Sequence, residues 1–204
     1  MTTRISEAKQ TIRTRMWDLL EHEHVTEPGV RGHIPAFTGA AEAAARLADL
    51  PAWHAAQVIK AVPDTAQQPV RERALRDRKL LYIAVPMLAA DLPFYVIDPR
   101  TLTAPPVGAA SKEGAPWIGR SVGTDDMEPV DMVVCGSVAV TRQGARLGKG
   151  AGYSDIEVAL LHEVGLISPA TVIVTTVHDL QIITEPIPQA QHDFSVDLII
   201  TRAK

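Results

Sequence analysis

From Ser6 to roughly His24 the apolar residues Ile12, Met16, Leu19 and Leu20 recur at helical spacing against a charged opposite face, which predicts an amphipathic helix. The stretch TEPGVRGHIPAFTGA then breaks regularity with Pro28, Gly29, Gly32, Pro35 and Gly39. An alanine-rich helix is expected from about Ala40 to Asp49, and Pro51 suits the first turn of another. The charged helix VRERALRDRK leads into KLLYIAVPML, which reads as a buried strand, and PFYVIDP reads as a second short strand closed by proline. Prolines and glycines recur without periodicity between Thr101 and Val130, so that stretch is expected to be loop.

The pattern sharpens in the second half. DMVVCGSVAV predicts a strand, a glycine-rich connection follows, and DIEVALLHEVGL predicts a helix with Ile156, Ala159, Leu160 and Val164 on one face. ATVIVTTV and VDLIITRA add two β-branched runs. Strands alternating with helices predict an α/β fold, a three-layer sandwich whose mainly parallel or mixed sheet carries helices on both faces.

With 204 residues, 46% of them hydrophobic, the chain can bury one sizeable core, and a single domain over residues 1–204 is expected. The formal net charge of −4 supplies no global basic field, so no nucleic-acid partner is expected. The opening MTTRISEAKQTIRTRMWDLL lacks a signal-peptide core, and no run approaches the ~20 apolar residues that span a bilayer. A cytoplasmic protein with no membrane contact is the expectation, as monomer or homodimer. Cys135 stands alone in an apolar run, where a small buried hydrophobe is the ordinary reading.

Candidate chemistry concentrates in RLGKGAGYSDIE, Arg146 to Glu157. It is not a Walker loop: Gly144 and Gly148 lie one residue too close together, and Gly150 stands where the Ser or Thr after Lys149 should be. Nor is it a dinucleotide fingerprint, because Gly148 and Gly150 lead to Tyr153, and Gly150 and Gly152 lead to Asp155. The physics beneath both motifs still applies. Glycines let backbone N–H groups approach an anion, a helix N-terminus favours negative charge, and Arg146 and Lys149 add cationic donors. Two readings remain, a phosphate cradle or a flexible strand-to-helix turn. Asp155 is likewise either a first-turn acid favourable to the helix dipole or a carboxylate placed to hold Mg²⁺ beside phosphates.

Elsewhere, His178 and Asp179 follow VIVTTV at a strand's expected C-terminal end, where α/β sheets place ligands. His192 and Asp193 read as a turn-fixing pair. His22 and His24 are two apart on a helix and share no face, which argues against metal ligation. Arg71, Arg73, Arg76, Arg78 and Lys79 read as a solvated helix face.

GARLGKGAGYSD resembles the ATP-binding segment of the 5-formyltetrahydrofolate cyclo-ligase family, roughly G-x-R-L-G-x-G-x-G-Y-Y-D-R, and KQTIR and IPQAQHDFSVDLIIT resemble its N-terminal Lys/Arg pair and C-terminal signature. HIPAFTGA, VIKAVPDTAQ, VDMVVCGSVAV, GKGAGYSDIEVALL and TTVHDLQII are similar to the methenyltetrahydrofolate synthetase domain-containing branch, which in animals carries an added RNA-recognition module; no aromatic RNA-stacking motif occurs in this chain. The resemblance implies an α/β fold and an ATP- and Mg²⁺-dependent closure of 5-formyltetrahydrofolate to 5,10-methenyltetrahydrofolate through a phosphorylated formyl group. It implies that Lys9, Arg13, Arg146, Gly148, Lys149, Gly150, Ala151, Gly152 and Tyr153 bind the nucleotide, with Arg146, Tyr153 and Asp155 as catalytic residues and Asp155 as metal ligand. For the family's folate-contacting element KAVPDTAQQ offers Lys60, Asp64 and Gln67, and His178 is a further substrate-binding candidate. The family's second tyrosine is Ser154 here, its following arginine is Ile156, and an acid ahead of the glycines is Thr141. Those departures leave two alternatives: an ATP-dependent enzyme acting on a non-folate formamide or carboxylate, and a non-catalytic nucleotide- or folate-binding paralogue.

Overall fold

The computed structural model describes residues 2–85, 92–191 and 193–203, with the side chains of residues 2 and 3 left aside. Pro86 to Leu88, the end of an expected strand, and His192 lie outside the described residues. At the middle of the sheet is a strand that apolar patterning did not announce, β1 (Val58–Ala61), every residue of which is buried. It pairs in parallel with β2 (Leu80–Ala84) on one side and β5 (Met132–Cys135) on the other. Parallel pairing continues from β5 to β8 (Val172–Thr176) and then β10 (Leu198–Ile200). On the other flank the antiparallel strands β3 (Phe94–Ile97) and β4 (Arg120–Val122) complete seven strands in the order β10-β8-β5-β1-β2-β3-β4.

Strand alternation divides the core between the two faces of this mixed sheet. Ile59, Ala61, Leu81, Ile83, Met132 and Val134 join one cluster with residues of α1 (Thr2–His22), α2 (Ala40–Ala48), α3 (Pro51–Ala55) and α4 (Gln68–Arg76). Val58, Tyr82, Ala84 and Val133 join another, against Val158 and Leu161 of α7 (Tyr153–Glu163). Helices therefore cover both faces, as the sequence predicts. No helix among the described residues is long and apolar enough to cross a membrane.

Four local expectations change. The run DMVVCGSVAV is two strands: β5 ends at Cys135, and β6 (Ala139–Thr141) joins a separate three-stranded sheet with β7 (Arg146–Leu147) and β9 (Ile182–Ile183). Within the expected loop after Thr101 lie α5 (Pro106–Ala109), α6 (Ala115–Ile118) and β4. On α7 the buried positions are Glu157, Val158 and Leu161, while Ile156 and Val164 are exposed. Apolar residues stand on several sides of that helix, so periodicity alone could not choose its inward face.

The basic cluster is not uniformly solvated either. Arg71 is 1% exposed and donates to three main-chain carbonyls, those of Val62 (2.6 Å), Ala110 (2.7 Å) and Asp64 (2.9 Å). Lys79 is buried and donates to the carbonyls of Ala56 (2.6 Å) and Trp53 (2.7 Å). Long cationic side chains satisfy carbonyls that no ladder reaches, which explains how they enter a core.

Candidate functional site

From β1 the chain moves one way along the sheet to β2, and it later returns to place β5 on β1's other side. The C-terminal ends of β1 and β5 thus diverge at a switch point, the usual place for a crevice in an open α/β sheet. Two adjoining cavities occupy it, and Ile34, Asp64, Lys149, Tyr153 and Ser154 line both.

The first is a small recess built on the glycine loop between β7 and α7, lined by Gly148 through Asp155 together with Lys9, Arg13, Arg146 and Asp193. Gly150 has φ +107°, a conformation that side chains rarely adopt, and a Cβ there would stand 3.3 Å from the Arg13 guanidinium carbon. No side chain caps the N-terminus of α7, where Gly152 holds the N-cap position. Tyr153, Ser154 and Asp155 of its first turn line the recess, which places the positive end of the helix dipole at its edge.

Four cations surround this loop, and each is engaged. Arg146 is buried; its Nη1 donates to the Gly136 carbonyl (2.8 Å) and its Nη2 to Asp155 Oδ1 (3.1 Å), while Nε has no partner among the described residues. The guanidinium also lies over the Phe194 ring, 4.4 Å from its centroid. Arg13 Nε donates to the Gly148 carbonyl at 2.8 Å. Burial pushes the Arg13 pKa down, against the pull of Asp193 and Asp155. Lys9 forms an ion pair with Asp193, and Lys149 Nζ reaches Asp64 Oδ1 at 3.0 Å.

The second cavity is a cleft of about 610 Å³ walled by residues of the 26–36 loop, by Val62 to Thr65 after β1, and by Tyr153, Ser154 and Glu157 of α7. Val30, Ile34, Val62, Pro63 and Val85 give it an apolar flank, and His33, Lys112 and Asp64 bring polar groups. The wall after β1 is pinned from behind by Arg71, which donates to the Val62 and Asp64 carbonyls.

The structure therefore brings every nucleotide-site candidate of the sequence into one recess, and Asp64 to the boundary between the two cavities. The other three substrate candidates line neither cavity. Lys60 is 1% exposed and ion-paired to Glu157 on the α7 side of β1. Gln67 is buried, its Nε2 donating to Thr176 Oγ1 (3.2 Å) and its Oε1 without a partner among the described residues. His178 caps a 3₁₀ turn: its Nδ1 accepts from the Leu180 amide (3.2 Å), and its own amide donates to Gln181 Oε1 (2.7 Å). Asp179 accepts from Thr201 Oγ1 at 2.8 Å.

Glu157 is the cleft residue that sequence reasoning missed. Its one legible signal was the four-residue step from Tyr153, which puts both on one helix face. Among the described residues no group of three or more His, Cys, Asp or Glu side chains is arranged to hold a metal ion. Burial raises the Cys135 thiol pKa, consistent with a packing role.

Residues 5–202 match the 5-formyltetrahydrofolate cyclo-ligase family. The methenyltetrahydrofolate synthase domain-containing protein of Mus musculus is 38% identical over 98% of this chain and 55% of its own length. Its Homo sapiens counterpart is 34% identical over 95% and 52%. The chain spans about half the length of these relatives. In fold it is similar to the 5,10-methenyltetrahydrofolate synthetase of Aquifex aeolicus, with a TM-score of 0.59 at 19% identity over 96% of this chain and 90% of that one. The Mycoplasma pneumoniae synthetase gives 0.54 at 15% identity, covering 94% and 97%.

Proposed function

The chain belongs to the 5-formyltetrahydrofolate cyclo-ligase family, and on that premise we propose that it closes 5-formyltetrahydrofolate to 5,10-methenyltetrahydrofolate at the expense of ATP. The observation that carries this reading is the side-by-side placement of a glycine recess with four cations and a cleft of about 610 Å³. ATP seats its phosphates on the Gly148–Gly152 backbone and the N-terminus of α7, with Arg13, Arg146, Lys149 and Lys9 neutralising charge. The residues present fit that ligand, since a side chain at Gly150 would fill the space beside Arg13, and the buried Arg146 Nε has no acceptor among the described residues. Asp155 would hold Mg²⁺ through one carboxylate oxygen, and the ion would supply charge neutralisation beside the phosphates.

The folate lies in the cleft with its formyl group toward the recess. The formyl oxygen attacks the γ-phosphorus and ADP leaves; a neighbouring amine nitrogen then bonds to the activated carbon, and phosphate departs with the original formyl oxygen and takes up the proton that the amine gives up. Enzyme groups chiefly orient the two substrates and exclude water, with Tyr153 on the boundary between them.

Two of the three departures from the family pattern lie away from the chemistry. Ile156 is 53% exposed and lines neither cavity, and Thr141 is buried on β6, its hydroxyl accepting from the Ala145 amide at 3.2 Å. Ser154 lines both cavities and favours a second reading, activation of a non-folate formamide or carboxylate by the same nucleotide chemistry. The test is to supply ATP, Mg²⁺ and 5-formyltetrahydrofolate and follow the methenyl product's absorbance. ADP release with another formamide or acid, and none with the folate, selects the second reading.

A further inference from the structure

Glu157 sits one turn beyond Tyr153 on α7 and lines the cleft, although the residue is only 4% exposed. Its Oε2 is taken by Lys60, a buried lysine in the central strand, and among the described residues no hydrogen bond is made to Oε1. The carboxylate thus has one oxygen committed to the core and one available to a ligand. We propose that Glu157 is a specificity-determining residue of the cleft, accepting hydrogen bonds from the N–H edge of a neutral planar heterocycle. This inference rests on the function proposed above, under which that heterocycle is the aminopyrimidinone ring of the reduced folate.

Charge selects this ligand class. A full cation entering the cleft meets a carboxylate already neutralised by Lys60, and an anion meets the carboxylate's free oxygen. Neutral N–H donors satisfy that oxygen without stranding a charge. Val30, Ile34, Val62, Pro63 and Val85 supply the apolar surface that a flat ring needs on its faces. Position agrees as well. Tyr153 lines both cavities, and Glu157 is four residues along the helix, about 6 Å at 1.5 Å per residue. A ring anchored on Glu157 therefore presents its far edge to the phosphate recess, where the formyl group must be for transfer.

Titration calorimetry without nucleotide tests the assignment with two probes, 5-formyltetrahydrofolate and its counterpart carrying methyl in place of the 2-amino group. Unmodified protein should prefer the amino compound by about tenfold or more, the range for a hydrogen bond to a charged group. In Glu157→Gln the free acceptor can become a donor, and the preference should fall to within about threefold. The double variant Lys60→Met/Glu157→Met replaces the pair by apolar residues of similar size, an exchange that is often neutral or stabilising. It should also lose the preference while keeping ATP affinity. A residue that merely supported the fold would weaken both ligands alike, so the same preference in all three proteins overturns the inference. Should unmodified protein bind ATP but neither folate, the proposed function falls first and this inference with it.

Discussion

Asp155 and Arg146 face each other across the glycine loop, carboxylate Oδ1 to guanidinium Nη2 at 3.1 Å. The acid expected to hold Mg²⁺ is thus also the partner of a buried arginine, and replacing it tests both roles. Asparagine keeps an oxygen for Arg146 but loses the charge. For Asp155→Asn we predict a stability loss of about 1 kcal/mol, a few degrees in melting temperature for a chain of this size. The Mg²⁺-dependent part of ATP affinity should disappear, while some metal-free binding persists. Calorimetry with and without Mg²⁺ checks this, and an undiminished metal effect removes Asp155 from the metal site.

Gly150 at φ +107° makes the simplest test of the cradle ambiguous, because alanine there is strained with or without a bound nucleotide. A cost of roughly 1–2 kcal/mol is predicted for Gly150→Ala. Gly148 offers a second test. Its backbone has no such strain, and a Cβ would approach Arg146 Nη1 to 2.9 Å, a group anchored on the Gly136 carbonyl. Gly148→Ala should therefore lose about 1 kcal/mol by displacing that buried group and at least tenfold in ATP affinity. Full ATP affinity in Gly148→Ala would argue for a turn with no ligand role.

Arg13 ties the first helix to the loop through the Gly148 carbonyl. Arg13→Ala is therefore expected to cost about 1 kcal/mol. ATP affinity should fall tenfold or more, because a partly desolvated cation interacts strongly with phosphate. Arg13→Lys should lie between the two in affinity. Equal ATP affinity in parent and alanine variant excludes the first helix from the nucleotide site.

His178 predicts an acid sensitivity. Its pKa is lowered from 6.5 by burial and then by Arg202, against the opposing pull of Asp179. Above pH 6.5 folded and unfolded chains both hold it neutral. As pH falls below that value the unfolded chain takes the proton first, and stability declines until the folded group also titrates. Protonation would also remove the Nδ1 acceptor that caps Leu180. Asparagine can cap without titrating, so His178→Asn should gain on the parent below pH 6.5 by at most about 1.4 kcal/mol per pH unit. Melting curves from pH 7 to 5 measure the difference, and parallel curves refute it.

The glycine recess was legible because its parts are contiguous: cations, glycines and acid occur together from Arg146 to Asp155. Its outer wall, Lys9 and Arg13, was legible only through the resemblance of KQTIR to the family's N-terminal pair. The cleft was not. Its wall residue Glu157 is held from behind by Lys60, 97 residues away, and no local pattern connects the two. The same lysine hid β1, since a charge inside a four-residue apolar run matches neither a buried strand nor an alternating one. Arg71 escaped for a related reason. Its acceptors are backbone carbonyls, which carry no mark in the sequence.

Both margins of the seven-stranded sheet are short. β4 and β10 each contribute three residues, and the first two positions of β4, Arg120 and Ser121, are exposed. Strands of that length offer few free backbone groups for another chain to copy, and an arginine at the border penalises burial of whatever docks there. The fold thus carries its own protection against edge-to-edge growth. A destabilised variant of this protein should aggregate only after its central strands open, so that turbidity on heating follows the loss of far-ultraviolet circular dichroism and does not precede it.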